Sequence, residues 1–255
     1  MKSKINLNNY HPVSAVALSL VVVFIPPFIV AVVLGVAYGL LAASGTDSAF
    51  EIWMQQNPVE VSFLSDEKII VSPVENAISY LLAVPLQIWF ILWLLRKNDL
   101  SKNLGLHYFD KNALIYSLVA WLIFYIVISI YGYIFKITPP EEFIKLIKAT
   151  PFMLNFLMVV IGAPIVEELL FRGFLFSQLK NTRLGINGSI VLTSLIWTFI
   201  HFQYDLLLLI PIFFLGLLLG YLFHKFNSLY LVIIVHAVHN LQATLFTEFL
   251  YDYFY

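Results

Sequence analysis

The chain has 255 residues, of which 61% are hydrophobic and 11% charged, and its formal net charge is −1. Soluble domains are roughly 45–50% apolar and about 25% charged, so this composition excludes an ordinary soluble domain. The lysines and arginines form no basic face, and we therefore expect no nucleic-acid partner. The sequence contains no cysteine, which excludes disulfides, thiolate nucleophiles and thiolate metal sites.

Apolar segments of membrane-spanning length follow one another along the chain. A helix needs about 20 apolar residues to cross about 30 Å of hydrocarbon. The first segment covers 13–43 and contains Pro26 and Pro27, which predict a kink because proline lacks a backbone N–H. A polar connection over 44–73 precedes further segments at 74–95, 112–135, 151–176, 189–203, 205–223 and 229–247. The sequence thus predicts an all-α polytopic transmembrane helix bundle of about seven spans.

Basic residues concentrate in connections that seven spans would place on one side of the membrane. Lysine and arginine in short loops mark the cytoplasmic side. We therefore expect a multi-pass protein of the cell membrane with a cytoplasmic N-terminus and an external C-terminus. The residues that carry this prediction are Lys2, Lys4, Arg96, Lys97, Lys102, Lys111, Lys180, Arg183 and Lys225. On the opposite side, the apolar spacing around 143–147 predicts a helix that lies in the membrane interface.

The segment at 151–176 contains three ionisable residues, Glu167, Glu168 and Arg172. An ionisable group deep in a bilayer costs about 2.5–3.5 kcal/mol on insertion scales, which makes each a functional candidate. Glu168 and Arg172 are four residues apart and share a helix face, so they predict an ion pair. Glu167 is rotated by about 100° from Glu168 and is left free for chemistry.

Two later segments carry His201, and His236 with Asn240. Counting along the helices places these side chains and Glu167 in the inner half of the bilayer, which predicts one shared polar pocket. A carboxylate and an imidazole that converge on a water form a general base. A second histidine and an amide can donate hydrogen bonds to an oxyanion. This set of groups favours hydrolysis of a peptide bond.

Three short motifs resemble those of the CPBP intramembrane protease family, also called the CAAX protease, bacteriocin-processing or Abi family. Glu167-Glu168-x-x-x-Arg172 matches the first motif, and His236-x-x-x-Asn240 matches the third. The second, usually Phe-x-x-x-His, is Trp197-x-x-x-His201 here. The resemblance covers about 151–245, so we divide the chain into N-terminal spans over 1–150, a catalytic core over 151–247 and a short tail over 248–255.

The resemblance implies a role for each matched residue. Glu167 is expected to be the catalytic carboxylate and His201 its partner in activating water. Glu168 and Arg172 would support the site, and His236 with Asn240 would form the oxyanion side. From the three converging motifs and their expected depth we predict a metal-independent, glutamate-type intramembrane endopeptidase. It would be a hydrolase whose partner is a membrane-associated peptide or protein near the cytoplasmic leaflet.

Other interpretations of the same residues remain open at this point. Glu167, His201 and His236 are also a two-histidine, one-carboxylate set of the kind that binds zinc, which we consider the less favoured alternative. A non-catalytic membrane scaffold or bacteriocin-immunity protein would bind a partner through the same pocket. A proton-coupled transporter would use the carboxylates as a relay.

Overall fold

The computed structural model describes residues 10–43, 58–61, 69–96 and 104–254. Lys2, Lys4, Lys97 and Lys102, on which the orientation prediction partly depends, lie outside the described residues. So does most of the polar connection over 44–73. Its described part contains two short antiparallel strands, β1 (Val59–Val61) and β2 (Ile69–Val71), with Val59 opposite Val71. This strand pair was not predicted from the sequence.

The described remainder consists of helices and short connections, which confirms the all-α polytopic bundle. The helices are α1 (Pro12–Ala43), α2 (Pro73–Leu95), α3 (Lys111–Phe135), α4 (Glu141–Ala149), α5 (Phe152–Leu179), α6 (Gly185–Phe199), α7 (Leu206–Phe226) and α8 (Leu229–Leu245). A π-helical turn, Phe246–Leu250, and a last turn, Tyr251–Phe254, extend α8. Within the described ranges, six helices are long and apolar enough to cross a membrane, and the predicted segment at 189–203 corresponds to the shorter α6 of 15 residues.

Contacts between helix ends identify one end of the bundle, which we call the basic end. The backbone N–H of Tyr10 donates to Gln178 at 3.0 Å, and the Tyr10 hydroxyl donates to the Leu94 carbonyl at 3.2 Å. These bonds join the start of α1 to the ends of α2 and α5. Phe176 and Phe223, with ring centroids 5.7 Å apart, join the end of α5 to the end of α7. The basic residues at this end, among those described, are Arg96, Lys111, Lys180, Arg183 and Lys225.

The opposite end, which we call the α4 end, is identified in the same way. The Phe143 ring on α4 contacts the Tyr204 ring in the turn between α6 and α7, with centroids 6.1 Å apart. Lys148, also on α4, pairs with Asp252 beyond the end of α8. The short α6 therefore runs from the basic end to the α4 end like the longer helices, and the described contacts agree with the predicted alternation of seven segments.

Helix α1 runs continuously through its two prolines. In an α-helix Pro26 and Pro27 cannot donate to the carbonyls of Val22 and Val23, four residues earlier. The buried amide of Gln87 on α2 contacts both carbonyls, at 3.2 and 3.4 Å. Because no backbone polar group in a bilayer can rely on water, this side chain replaces the missing donors and fixes α1 to α2.

Candidate active site

Helix α5 changes its register on both sides of the two glutamates. Phe156–Gly162 and Leu169–Leu175 are π-helical, and the intervening Ala163–Glu168 is α-helical. π-helical turns within α-helices are rare and occur frequently at functional sites. Glu167 and Glu168 thus lie on a single α-helical stretch whose orientation depends on the π-helical segment before it.

Glu168 and Arg172 form a buried ion pair, as the sequence predicted. Their side chains are 0% and 1% exposed, and Arg172 Nη1 donates to Glu168 Oε1 at 2.8 Å. Arg172 Nη2 donates to the Gly216 carbonyl on α7 at 3.0 Å, and the guanidinium lies 5.1 Å from the centre of the Trp197 ring. Arg172 therefore neutralises Glu168 and joins α5 to α6 and α7.

His236 on α8 lies between the two glutamates. Its Nδ1 is 2.9 Å from Glu168 Oε1, and its Nε2 is 4.0 Å from Glu167 Oε2. A carboxylate paired with arginine is an acceptor, so we assign the proton on Nδ1 to this hydrogen bond. In the neutral ring, Nε2 then directs its lone pair toward Glu167.

Glu167 is the more accessible of the two carboxylates, with 19% of its side chain exposed. It accepts a hydrogen bond from the indole Nε1 of Trp197 at 2.5 Å. Trp197 stands where the second motif usually has phenylalanine. The missed signal was its N–H, a donor that phenylalanine lacks.

His201 is separated from Glu167 by the Trp197 ring, which contacts both residues. Its Nδ1 is 2.8 Å from the Trp197 carbonyl, and among the described contacts its ring packs edge-on against Trp197 and not against Glu167. The ring also stacks on Tyr204, with centroids 6.2 Å apart. Since α6 begins at Gly185, His201 lies about 24 Å along the axis from the basic end. Along its helix it therefore lies nearer the α4 end than the basic end, and its expected position in the inner half of the bilayer stays a prediction.

Tyr204, which is not among the residues predicted from the sequence, lies beside the site. Burial and the charge of Glu167 raise the pKa of Tyr204 to about 12, and a hydrogen bond with Gln203 opposes this. The phenol therefore stays protonated throughout the physiological range. Tyr204 lies in a connection, and only its stacking on His201 in the folded chain identifies it.

Asn240 points its amide at the backbone of α5. Nδ2 donates to the Val159 carbonyl at 2.8 Å, within the π-helical segment that precedes Glu167. The structure therefore brings Glu167, Glu168, Arg172 and His236 together directly and joins Asn240 to the same helix. The oxyanion role expected for Asn240 stays a prediction.

The zinc alternative required Glu167, His201 and His236 at one point. Of these, Glu167 and His236 approach each other to 4.0 Å, whereas His201 contacts Trp197. In the part of the chain that the structure describes, no group of three His, Cys, Asp or Glu side chains has an arrangement suited to a metal ion. An apolar cavity of about 360 Å³ lies elsewhere, among α1, Leu179 and Leu192.

Comparison with known families gives a match over the region that contains this site. Residues 149–242, which include every predicted site residue, match the family of type II CAAX prenyl endopeptidases described as Rce1-like. This region is therefore similar to Rce1-like CAAX proteases, in agreement with the CPBP family that the three motifs resemble. No curated protein and no solved structure matches the chain.

Proposed function

We propose that this protein is an intramembrane endopeptidase that hydrolyses a peptide bond in a membrane-associated peptide or protein with a water activated by Glu167. The observation that supports this most directly is the line of contacts from Arg172 through Glu168 and His236 to Glu167. Such a line fixes the orientation of an imidazole and leaves one accessible carboxylate beside it. The family of residues 149–242 indicates the same class of reaction.

The water is proposed to lie between Glu167 Oε2 and His236 Nε2. These atoms are 4.0 Å apart, too far for a direct hydrogen bond and close enough for one water to donate to both. Glu167 accepts a proton as the water oxygen bonds to the scissile carbonyl carbon, and an oxyanion forms. The protonated Glu167 then returns that proton to the leaving nitrogen as the C–N bond breaks.

This geometry favours an exchange of the two histidine roles expected from the sequence. His236 is the imidazole next to Glu167, so we assign it to the water. His201 lies beyond Trp197, beside Tyr204, so we assign it to the substrate side. There, the neutral phenol of Tyr204 is a hydrogen-bond donor suited to the scissile carbonyl.

The orientation and partner are proposals as well. With the basic end in the cytoplasm, the N-terminus is cytoplasmic and the α4 end faces the other side of the membrane. His201 and Tyr204 lie toward the α4 end, so we propose that the substrate approaches from there instead of from the cytoplasmic leaflet. No metal is required by this mechanism, and cleavage that persists after dialysis against EDTA would support that part of it.

The experiment compares purified wild type with Glu167→Gln, which keeps an acceptor for Trp197 and removes the base. Two substrates are used: an internally quenched farnesylated CAAX peptide, and the membrane peptides that accumulate in cells expressing Glu167→Gln. We expect Glu167→Gln to lower cleavage by at least about 1,000-fold. Glu141→Gln is the matched control, because Glu141 is an exposed glutamate paired with Lys145 on α4. A cellular phenotype that survives Glu167→Gln would favour the non-catalytic scaffold.

A further inference from the structure

The Asn240 amide binds a carbonyl for which the helix has no donor. The Ala163 N–H donates to the Met158 carbonyl five residues earlier, which is the π-helical register. In that register the N–H of residue 164 would donate to the Val159 carbonyl, but residue 164 is proline and has no N–H. The hydrogen bond from Asn240 to the Val159 carbonyl fills this position at 2.8 Å.

The same arrangement occurs at places far from the site. Pro211 in α7 leaves the Leu207 carbonyl without its helical donor, and the Tyr131 hydroxyl of α3 lies 3.2 Å from that oxygen. Gln87 does the same for the two carbonyls freed in α1. Neither side chain contacts the glutamates, so in this molecule a polar side chain opposite a proline-freed carbonyl has a structural use of its own.

The position of this bond connects it to the chemistry. Val159 lies in the π-helical segment that ends at Gly162, directly before the turn that carries Glu167. Asn240 is one turn beyond His236 on α8. The bond therefore joins the helix of His236 to the segment that sets the direction of Glu167.

We propose that Asn240 is a positioning residue: it supplies the donor that Pro164 lacks and thereby holds Glu167 opposite His236, in place of the oxyanion role that the family resemblance implies. The part of this inference that concerns cleavage rests on the proposed function. The part that concerns the melting temperature can be tested without it. If the donor is all that Asn240 contributes, restoring a backbone N–H at 164 makes the amide dispensable.

The test is a double-mutant cycle of Asn240→Ala and Pro164→Ala, measured by melting temperature in detergent and by cleavage of the peptides described above. Asn240→Ala alone is expected to lower the melting temperature by roughly 5 °C and cleavage by about 100-fold. Pro164→Ala alone should retain most cleavage. The double variant should resemble Pro164→Ala in both properties. Its cleavage should lie within about threefold of that variant, and its melting temperature within about 2 °C.

Gln242→Ala is the matched control, because Gln242 is an amide on the same helix that contacts the Tyr125 hydroxyl instead of a proline-freed carbonyl. Pro164→Ala should leave its effect unchanged. A double variant that is folded, as stable as Pro164→Ala and still inactive would overturn the inference in favour of an oxyanion donor. If even the wild type cleaves nothing, the proposed function fails, and the melting temperatures alone then decide the inference. In that case, an absence of coupling between Asn240→Ala and Pro164→Ala would refute it.

Discussion

Replacement of Arg172 by methionine tests the buried ion pair most directly. The substitution keeps an unbranched side chain and leaves Glu168, with 0% exposure, without its positive partner. Breaking a buried pair by removing one member costs about 3–5 kcal/mol, because the remaining charge is uncompensated. The Gly216 carbonyl also loses its donor, which adds to the loss. We therefore expect the melting temperature to fall by roughly 10 °C.

The assay is thermal unfolding in one detergent, followed by intrinsic tryptophan fluorescence. The comparison is Lys145→Met, because Lys145 and Glu141 form a pair at the same i, i+4 spacing with side chains 43% and 75% exposed. Exposed helical pairs contribute about 0.3–0.5 kcal/mol, so this variant should melt within about 2 °C of wild type. Adding Glu168→Gln to Arg172→Met should recover most of the stability and none of the cleavage. Equal losses for Lys145→Met and Arg172→Met, or no recovery, would refute the reasoning.

Three further predictions concern packing, ionisation and orientation. Gly216→Ala should lower cleavage several-fold, because the added Cβ would lie 3.0 Å from a side chain of α6. Gly132→Ala is the control and should be neutral, because its added Cβ would have no atom of another residue within 4 Å outside the nearby helix backbone. Steady-state kinetics measure both variants. Folding raises the pKa of Tyr204 from 10.0 to about 12, so the unfolded chain loses this proton at lower pH than the folded chain. Between pH 10 and 12 the melting temperature of the wild type should therefore fall more than that of Tyr204→Phe. Since the chain has no cysteine, a membrane-impermeant maleimide should label Asp205→Cys and not Arg183→Cys in intact cells; the reverse pattern would invert the orientation.

Apolar segment length and i, i+4 spacing were sufficient to predict the bundle and the ion pair of Glu168 with Arg172. The first depends on local composition, and the second on two side chains four residues apart sharing a helix face, which they do here although Arg172 lies in the π-helical Leu169–Leu175. The contacts of Glu167 were not predictable in the same way, because the π-helical segments on each side of its turn alter the regular α-helical spacing along α5. The Trp197 donor and the approach of His236 to Glu167 depend on how α5, α6 and α8 pack, and no spacing within one helix reveals that. The division of the chain at 150 and 247 stays a prediction.

The shortness of α6 has a consequence for the surrounding lipid. Its 15 residues span about 22 Å, less than the roughly 30 Å of an average hydrocarbon layer. Val191, Leu195 and Phe199 are 43%, 49% and 73% exposed, so we expect this face of the helix to contact acyl chains and to produce a negative hydrophobic mismatch. A bilayer accommodates such a mismatch by thinning locally. The bilayer would thus be thinner beside His201, which brings headgroups and water closer to the site. Turnover in reconstituted vesicles should then rise as the lipid tails are shortened.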